Sequence, residues 1–152
     1  MPTPFENATL NLTLFDLRRE PVLREARAWF LADFNPESFD ELTAIAGSTR
    51  NASFRMVLGY WEMAASLVSD GAIDGQSFRA AHGEIFLTLA KIYPYLSQLR
   101  AAAGEPDFCK HIEAVVLGES DAEAIMTRRR RSARSGSRGD VAVRAARFSC
   151  EP

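Results

Sequence analysis

The sequence is poor in cysteine: only Cys109 and Cys150 occur in 152 residues. Two cysteines do not make the disulfide framework of a small secreted domain, and a chain of this length can bury enough surface to fold without one. A reducing compartment is the simpler interpretation. There is also no basic, apolar leader and no apolar stretch of the roughly 20 residues that a membrane-spanning helix needs. We therefore expect a soluble, cytoplasmic protein.

Strand patterns and catalytic motifs are missing as well. Nowhere do β-branched residues alternate with polar ones over five positions, which argues against a β-sheet. The chain has no glycine-rich phosphate loop, no G-x-S-x-G motif and no C-x-x-C motif. Its two histidines and two cysteines lack the spacing of a metal site. We predict no metal, no cofactor and no catalytic residue, and the sequence favours a protein that is not an enzyme.

Charge is distributed unevenly along the chain. Residues 1–126 contain 10 basic and 18 acidic residues, a net charge of −8, whereas residues 127–152 contain 8 arginines and 2 acidic residues, a net charge of +6. Hydrophobic periodicity ends near Met126, and a segment rich in Arg, Ser, Gly and Ala cannot bury enough apolar surface to order itself. We predict a helical domain over residues 1–126 and a disordered, arginine-rich tail over residues 127–152.

The body is predicted to be all-α, a helical bundle of about six or seven helices. Apolar residues recur every three or four positions on both sides of the segment SDGAID. Gly71 suits the end of the first helix and Asp74 the N-cap of the second. The pattern predicts an antiparallel hairpin of helices over about 51–69 and 75–102, with a kink at Pro94.

Gly59 and Gly83 fall at matching heights in this hairpin. Because a glycine inside a helix costs about 1 kcal/mol relative to alanine, a reason for the pair is expected. One hypothesis is a close contact of the two backbones at this height. The alternative is that each glycine is incidental.

His82 interrupts the apolar stripe of the second helix and is expected to face Trp61. One interpretation is a general base or ligand contact in a small aromatic pocket, with Glu62 or Glu84 assisting. The other is a half-buried histidine that hydrogen-bonds to a neighbour. The second is favoured because a site needs several converging groups and the sequence shows one. Aromatic residues at helical spacing, Trp61 included, are interpreted as core.

The run of four arginines, Arg128, Arg129, Arg130 and Arg131, allows three interpretations. A flexible arm could bind the phosphates of nucleic acid or another anionic surface. The arginines could instead extend the last helix, where positive charge complements the helix dipole. The tail could also come from GC-rich codons read out of frame, and so not be native. The charge of the body argues against nucleic acid, which it would repel.

Part of the chain resembles a known family. The segments NASFRMVLGYWEMAASLVSDGAID, KIYPYLSQLR and FCKHIEAVV are similar to those of an uncharacterised bacterial family of small helical proteins with a domain of unknown function. The resemblance covers residues of about 14–117. It rests on a helix with a central aromatic, Trp61, and on the turn Gly71–Asp74. A proline-to-arginine segment, Pro94 to Arg100, departs from the family pattern by one position. The resemblance implies an all-helical fold and no assigned activity or functional residues.

A binding or assembly protein is therefore the leading functional prediction. Many amphipathic helices in a small chain can leave an apolar strip exposed, and such a strip could support a homodimer. Attachment to nucleic acid or to an anionic surface through the tail is the first alternative. An enzyme or small-ligand binder with a pocket around His82 and Trp61 is the second.

Overall fold

A computed structural model of the chain describes the backbone of residues 1–148 and the side chains of residues 1–136. The all-α prediction is confirmed, since no strand occurs in residues 1–148. The elements, in chain order, are α1 (Pro4–Leu17), α2 (Pro21–Ala32), α3 (Phe39–Ala46), α4 (Asn51–Ser69), α5 (Gly75–Ala81), α6 (Glu84–Ile92), a 3-10 turn (Tyr93–Tyr95), α7 (Leu96–Ala103), α8 (Lys110–Leu117) and α9 (Ala122–Phe148).

The core is centred on α4 and α6. α4 packs chiefly against α2 and α8, and α6 chiefly against α9 and α8. α4 alone buries seven side chains, which are Phe54, Val57, Leu58, Tyr60, Trp61, Ala64 and Ala65. Full burial of a large apolar side chain contributes about 1.5–3 kcal/mol, so these two helices supply a large share of the driving force for folding.

The turn between α4 and α5 agrees with the sequence prediction. Gly71 has a φ of +75°, the left-handed conformation that glycine adopts most readily. The Asp74 carboxylate accepts a 2.7 Å hydrogen bond from the backbone N–H of Ser77 and so caps α5. The second arm, however, is not one helix: residues 75–102 are divided into α5, α6, the 3-10 turn and α7.

Two residues explain this division. His82 leaves the helical conformation, with φ −123° and ψ +49°, and α6 starts two residues later. Pro94 lacks a backbone N–H, and the chain passes it as the 3-10 turn Tyr93–Tyr95. The interruption falls at Pro94, where a kink was predicted, but α6 ends at Ile92 and does not continue through the proline. The break at His82 was not predicted, because the apolar repeat continues across it without a change of spacing.

The hypothesis of a close contact between Gly59 and Gly83 is wrong. A Cβ atom added to Gly59 would have no neighbour within 4 Å. One added to Gly83 would lie 3.2 Å from Nη2 of Arg129, a residue of α9. Since the main neighbours of α4 are α2 and α8, the two glycines do not face each other.

The helix α1 was missed by the sequence analysis. Its start is well marked, since Thr3 and Glu6 form a capping box. Its inner face, however, includes the buried polar residues Asn11 and Arg18 beside Leu14. A helix that turns amide and guanidinium groups inward produces no apolar stripe, so hydrophobic periodicity does not detect it.

The helix α9 runs through the predicted boundary at residue 127. Residues 127–136 continue the helix, at the place where the arginine-rich tail was expected to begin. The physical reason is that the arginine side chains find partners on the body. Arg129 donates to the backbone oxygen of Gly83, and its guanidinium carbon lies 5.6 Å from the centroid of Phe86. Residues 149–152, with Cys150, lie outside the described residues.

Candidate functional site

His82 lies between α5 and α6 and is only 1% exposed. Its ring centroid is 4.7 Å from that of Phe78 and 6.1 Å from that of Trp61, which is fully buried. The prediction that His82 faces Trp61 is therefore confirmed. Both rings belong to the core, and a ligand could reach them only if the structure opened.

The hydrogen bonds of Asn11 determine the tautomer of His82. The Nδ2 of Asn11 donates to the backbone oxygen of Asn7 at 2.9 Å and to Oγ of Ser77 at 3.3 Å. Its Oδ1 lies 2.9 Å from Nε2 of His82. Because an amide oxygen can only accept, Nε2 carries the proton of the neutral ring and Nδ1 is left as an acceptor.

The environment of His82 disfavours its charged form. Burial lowers the pKa of His82 from 6.5 to about 4, and the positive charge of Arg18 acts in the same direction. Glu84 raises the pKa, but by less. His82 is therefore neutral at pH 7, and with this pKa it is a weak base.

Three buried nitrogens in this region have no hydrogen-bond partner among the described residues. They are Nδ1 of His82, Nε1 of Trp61 and Nε of Arg18. The guanidinium carbon of Arg18 lies 5.5 Å from the centroid of Trp61, so the three side chains form one contiguous group. Two of the nitrogens are donors and one is an acceptor. We refer to His82, Trp61, Arg18 and Asn11 as the buried polar cluster.

Glu84 lies beside the buried polar cluster but is paired with two arginines. Its Oε1 accepts from Nε of Arg27 at 2.8 Å, and its Oε2 accepts from Nη2 of the same arginine. Nη1 of Arg18 lies 3.7 Å from Oε2. The hydrogen bond that Arg27 donates to Glu84 is the main cause of the raised pKa of Arg27. These contacts tie α6 to α2 and to the end of α1, as a structural ion pair does.

Glu62, the other predicted carboxylate, lies at a different place. Its two oxygens each accept a 3.0 Å hydrogen bond, one from the backbone N–H of His111 and one from that of Ile112. These N–H groups belong to the first turn of α8, where they have no partner within the helix. Glu62 therefore caps α8 from α4, and the structure does not bring it to His82.

Lys91 is a buried charged residue that the sequence analysis did not single out. It is 1% exposed, and its Nζ donates to the backbone oxygens of Phe30 at 2.8 Å and Leu31 at 2.7 Å. Burial lowers the pKa of Lys91 from 10.5 to about 8, opposed by the charge of Asp33. The two oxygens lie in the last turn of α2, so Lys91 satisfies groups that this helix end leaves without partners.

The four predicted anion-binding arginines do not act alike. Arg129 and Arg130 are half-buried and bind the body, whereas Arg128 and Arg131 are exposed. Arg130 Nη2 lies 3.4 Å from the backbone oxygen of Pro36 and 3.3 Å from the hydroxyl of Tyr95. Residues 128–131 are helical, but they lie in the first half of α9 and not at its C-terminal end, where the second interpretation placed them.

A surface cleft opens beside this part of α9. It has a volume of about 690 Å³, and its floor includes Tyr95 and Pro94 of the 3-10 turn. The remaining lining residues are Glu37, Thr127, Arg130, Arg131, Arg134 and Ser135. We call this region the arginine cleft.

The outer face of α1 is apolar. Phe5 is 79% exposed, Leu12 70% and Phe15 51%, and the exposed Ala8 lies between Phe5 and Leu12. These four residues follow one another at intervals of three, four and three positions, so they share one side of the helix. We call them the α1 stripe. Val22, 58% exposed at the start of α2, is a further exposed apolar side chain.

Neither a metal centre nor a membrane span is found among the described residues. No three His, Cys, Asp or Glu side chains in this part of the chain are grouped so that they could hold a metal ion. No helix within it is both long and apolar enough to cross a membrane. Cys109 is buried, and burial raises the pKa of its thiol to about 12, so it is a small core residue and a poor nucleophile.

The elements described define an all-helical protein with a polar cluster buried in its core. The model of a protein family, the domain of unknown function DUF4760, matches residues 5–118. The chain belongs to this family, and the resemblance noted in the sequence is confirmed. The matched segment covers α1 to α8 and ends before α9. Comparisons with curated proteins and with solved structures found no match.

Proposed function

We propose that this protein is a binding or assembly protein rather than an enzyme, and that it forms a homodimer through the α1 stripe. The observation that supports this proposal is the orientation of α1. Its buried face is in part polar, and its exposed face carries two phenylalanines and a leucine. Scattered single apolar residues on a surface need no explanation, but an aligned row of them marks an interaction site.

The spacing of the α1 stripe suits a second helix. Apolar residues at alternating intervals of three and four are the pattern by which two helices interlock their side chains. Phe5, Ala8, Leu12 and Phe15 cover three turns of α1 in this pattern. The natural occupant of the stripe is therefore a helix with an apolar face of similar length.

A second copy of α1 fits this requirement. In an antiparallel pair centred between Ala8 and Leu12, each Phe5 would oppose a Phe15 and each Ala8 a Leu12. The small side chain of Ala8 then lies against the larger side chain of Leu12. Each contact occurs twice, as it must where two copies pair through the same surface. The borders carry no uncompensated row of like charge, because Glu6 caps its own helix and Asp16 lies 3.9 Å from Arg19.

The alternative of a pocket at the buried polar cluster is less well supported. His82 and Trp61 are 1% and 0% exposed, and the predicted helper Glu84 is bound to arginines. A catalytic site needs a substrate within hydrogen-bond reach of its base.

The proposal is tested by sedimentation equilibrium of the full chain over a range of concentrations. We expect the wild type to pass from monomer to dimer and the variant Leu12→Glu to remain monomeric. Thr13→Glu is the matched control, because it adds the same charge to an exposed position of α1 outside the stripe and is expected to dimerise. A wild type that stays monomeric at every concentration, or a dimer that Leu12→Glu leaves intact, would refute the proposal.

A further inference from the structure

We propose that the arginine cleft is a binding site for a small ligand that carries a phosphate group. The proposal does not depend on the α1 stripe, which lies on a different helix. It rests on how Arg130 and Arg134 are held, on the position of Arg131, and on the size and lining of the cleft.

Arg130 and Arg134 both contact one backbone oxygen. Nη2 of each lies 3.3–3.4 Å from the oxygen of Pro36, which also accepts a 3.1 Å hydrogen bond from the hydroxyl of Tyr95. The guanidinium carbon of Arg130 lies in addition 5.8 Å from the centroid of Tyr95. A guanidinium group has five N–H donors, so each side chain keeps donors for a ligand after this contact. Because these contacts restrict the two groups, a ligand would lose less binding energy in ordering them than it would with free side chains.

Arg131 adds a third guanidinium group on an adjacent ridge of α9. Thr127 lies four residues before it and Ser135 four residues after it, so the three share one side of the helix. Ser135 donates its own hydroxyl proton to the backbone oxygen of Arg131 at 3.1 Å, which leaves its oxygen as an acceptor. The lining therefore offers a ligand the donors of the guanidinium groups and the hydroxyl of Thr127.

The chemistry of this lining favours phosphate. Three arginines lie within five residues of one helix, and Arg130 and Arg134 stand at the i,i+4 spacing of neighbouring side chains, so positive charge is concentrated along this part of α9. Glu37 is the single carboxylate of the lining, so the formal charge of the cleft is positive. A planar guanidinium fork pairs with two oxygens of one anion, and a phosphate offers enough oxygens for several forks at once.

The dimensions favour a small ligand over a long polyanion. A volume of about 690 Å³ is within the range of about 300–1,000 Å³ of small-molecule sites. Pro94 is exposed and supplies an apolar surface in the lining on which an organic group attached to the phosphate could pack. A nucleic acid would extend beyond the cleft onto a body whose residues 1–126 carry a net charge of −8.

The test is a titration of the full chain with inorganic pyrophosphate, followed by isothermal calorimetry at low salt. We expect saturable binding that Arg131→Gln weakens by about tenfold, the effect of losing one charged hydrogen-bonding group. Arg128→Gln is the matched control, because Arg128 is an exposed arginine of the same helix that does not line the arginine cleft. This variant removes the same charge and is expected to change the affinity less than about twofold.

Three outcomes would overturn the proposal. The first is an absence of pyrophosphate binding by the wild type. The second is an equal loss of affinity in Arg131→Gln and Arg128→Gln, which would indicate diffuse attraction to a charged helix. The third is binding of a mixed-sequence single-stranded oligonucleotide that both variants weaken alike and that far exceeds pyrophosphate binding in affinity. Its steep loss between about 50 and 200 mM salt would identify a nucleic-acid surface instead.

Discussion

Asn11 and His82, 71 residues apart in the chain, are joined by a 2.9 Å hydrogen bond between Oδ1 of the amide and Nε2 of the ring. This bond attaches the inner face of α1 to the break between α5 and α6. It also places an ionisable ring where water does not reach, since His82 is 1% exposed. The stability of the protein should therefore respond to the protonation of this single residue.

The free energy of unfolding is expected to fall as the pH is lowered from about 6.5 to about 4. In this interval the unfolded chain binds a proton at His82, whose pKa is then near its ordinary value, while the folded protein does not until its pKa of about 4 is reached. The free energy of unfolding is therefore highest above about pH 6.5, and its total decrease down to about pH 4 is about 3 kcal/mol. Urea unfolding of the wild type and of His82→Gln across this range measures the difference.

The control for this measurement is His111→Gln, which changes the only other histidine. Its free energy of unfolding should decrease between pH 6.5 and 4 as that of the wild type does. A nitrogen-detected NMR titration of the wild type gives the same pKa without any variant. It should also show the proton of the neutral ring on Nε2. A pKa of His82 near 6.5, or a proton on Nδ1, would contradict the environment described above.

Lys91 should make the free energy of unfolding depend on pH in the alkaline range. Its pKa is about 8 in the folded protein and near 10.5 in the unfolded chain. Between these values the unfolded chain still binds the proton that the folded protein has released, so the free energy of unfolding should rise with pH, by about 3 kcal/mol in all. In Lys91→Met this rise should be absent, whereas the exposed Lys110→Met should retain it. Chemical denaturation between pH 7 and 10 tests this prediction. Equal slopes of the free energy of unfolding against pH in the wild type and in Lys91→Met would contradict it.

Glu62 is expected to contribute to stability through α8. Glu62→Ala leaves the backbone N–H groups of His111 and Ile112 without their acceptors and should lower the free energy of unfolding by about 1–3 kcal/mol. Glu62→Gln retains one acceptor oxygen and should cost less. Thermal unfolding of the two variants provides the comparison. If Glu62→Ala unfolded at the wild-type temperature, the capping role would be excluded.

Two glycines with free space around them should respond in opposite directions to alanine. A Cβ atom on either Gly59 or Gly71 would have no neighbour within 4 Å, but Gly59 is inside α4 and Gly71 has a φ of +75°. Gly59→Ala is therefore expected to stabilise the protein by about 0.5–1 kcal/mol through helix propensity. Gly71→Ala should destabilise it by about 1 kcal/mol because the left-handed conformation is strained for alanine. Shifts of the same sign in denaturant unfolding would disagree with this account.

The sequence was sufficient for the parts of the fold that depend on apolar spacing and helix ends. The turn at Gly71 and Asp74 and the orientation of His82 toward Trp61 follow from local signals, and the structure has them. The same reasoning could not show that the chain breaks at His82. That break accompanies a hydrogen bond to Asn11, and a partner 71 residues away leaves no mark in local spacing.

The charged residues of the interior were the least predictable. Lys91 follows a run of apolar residues, and its position in the sequence is typical of an exposed residue at the edge of a helix. Its acceptors, the carbonyl groups of Phe30 and Leu31, are about 60 residues away, so no local pattern indicates them. Glu62 was assigned to the wrong neighbour for a similar reason. It is adjacent to Trp61 in the chain, but successive residues of a helix point to different sides. The composition of residues 127–152 also gave no sign that Arg129 and Arg130 would bind the body, because their partners are distant in the sequence.

The position of Trp61 beneath Arg18 has a consequence for spectroscopy. Trp61 is fully buried, and Arg18 at the end of α1 covers its ring, whereas Trp29 on α2 is only partly buried with Arg50 over its ring. The emission of the protein should thus combine one indole in an apolar environment with one near water. Separation of α1 from the body would bring water to Trp61 and shift its emission to longer wavelength before the core unfolds. The protein therefore contains its own fluorescent indicator of whether the first helix is docked.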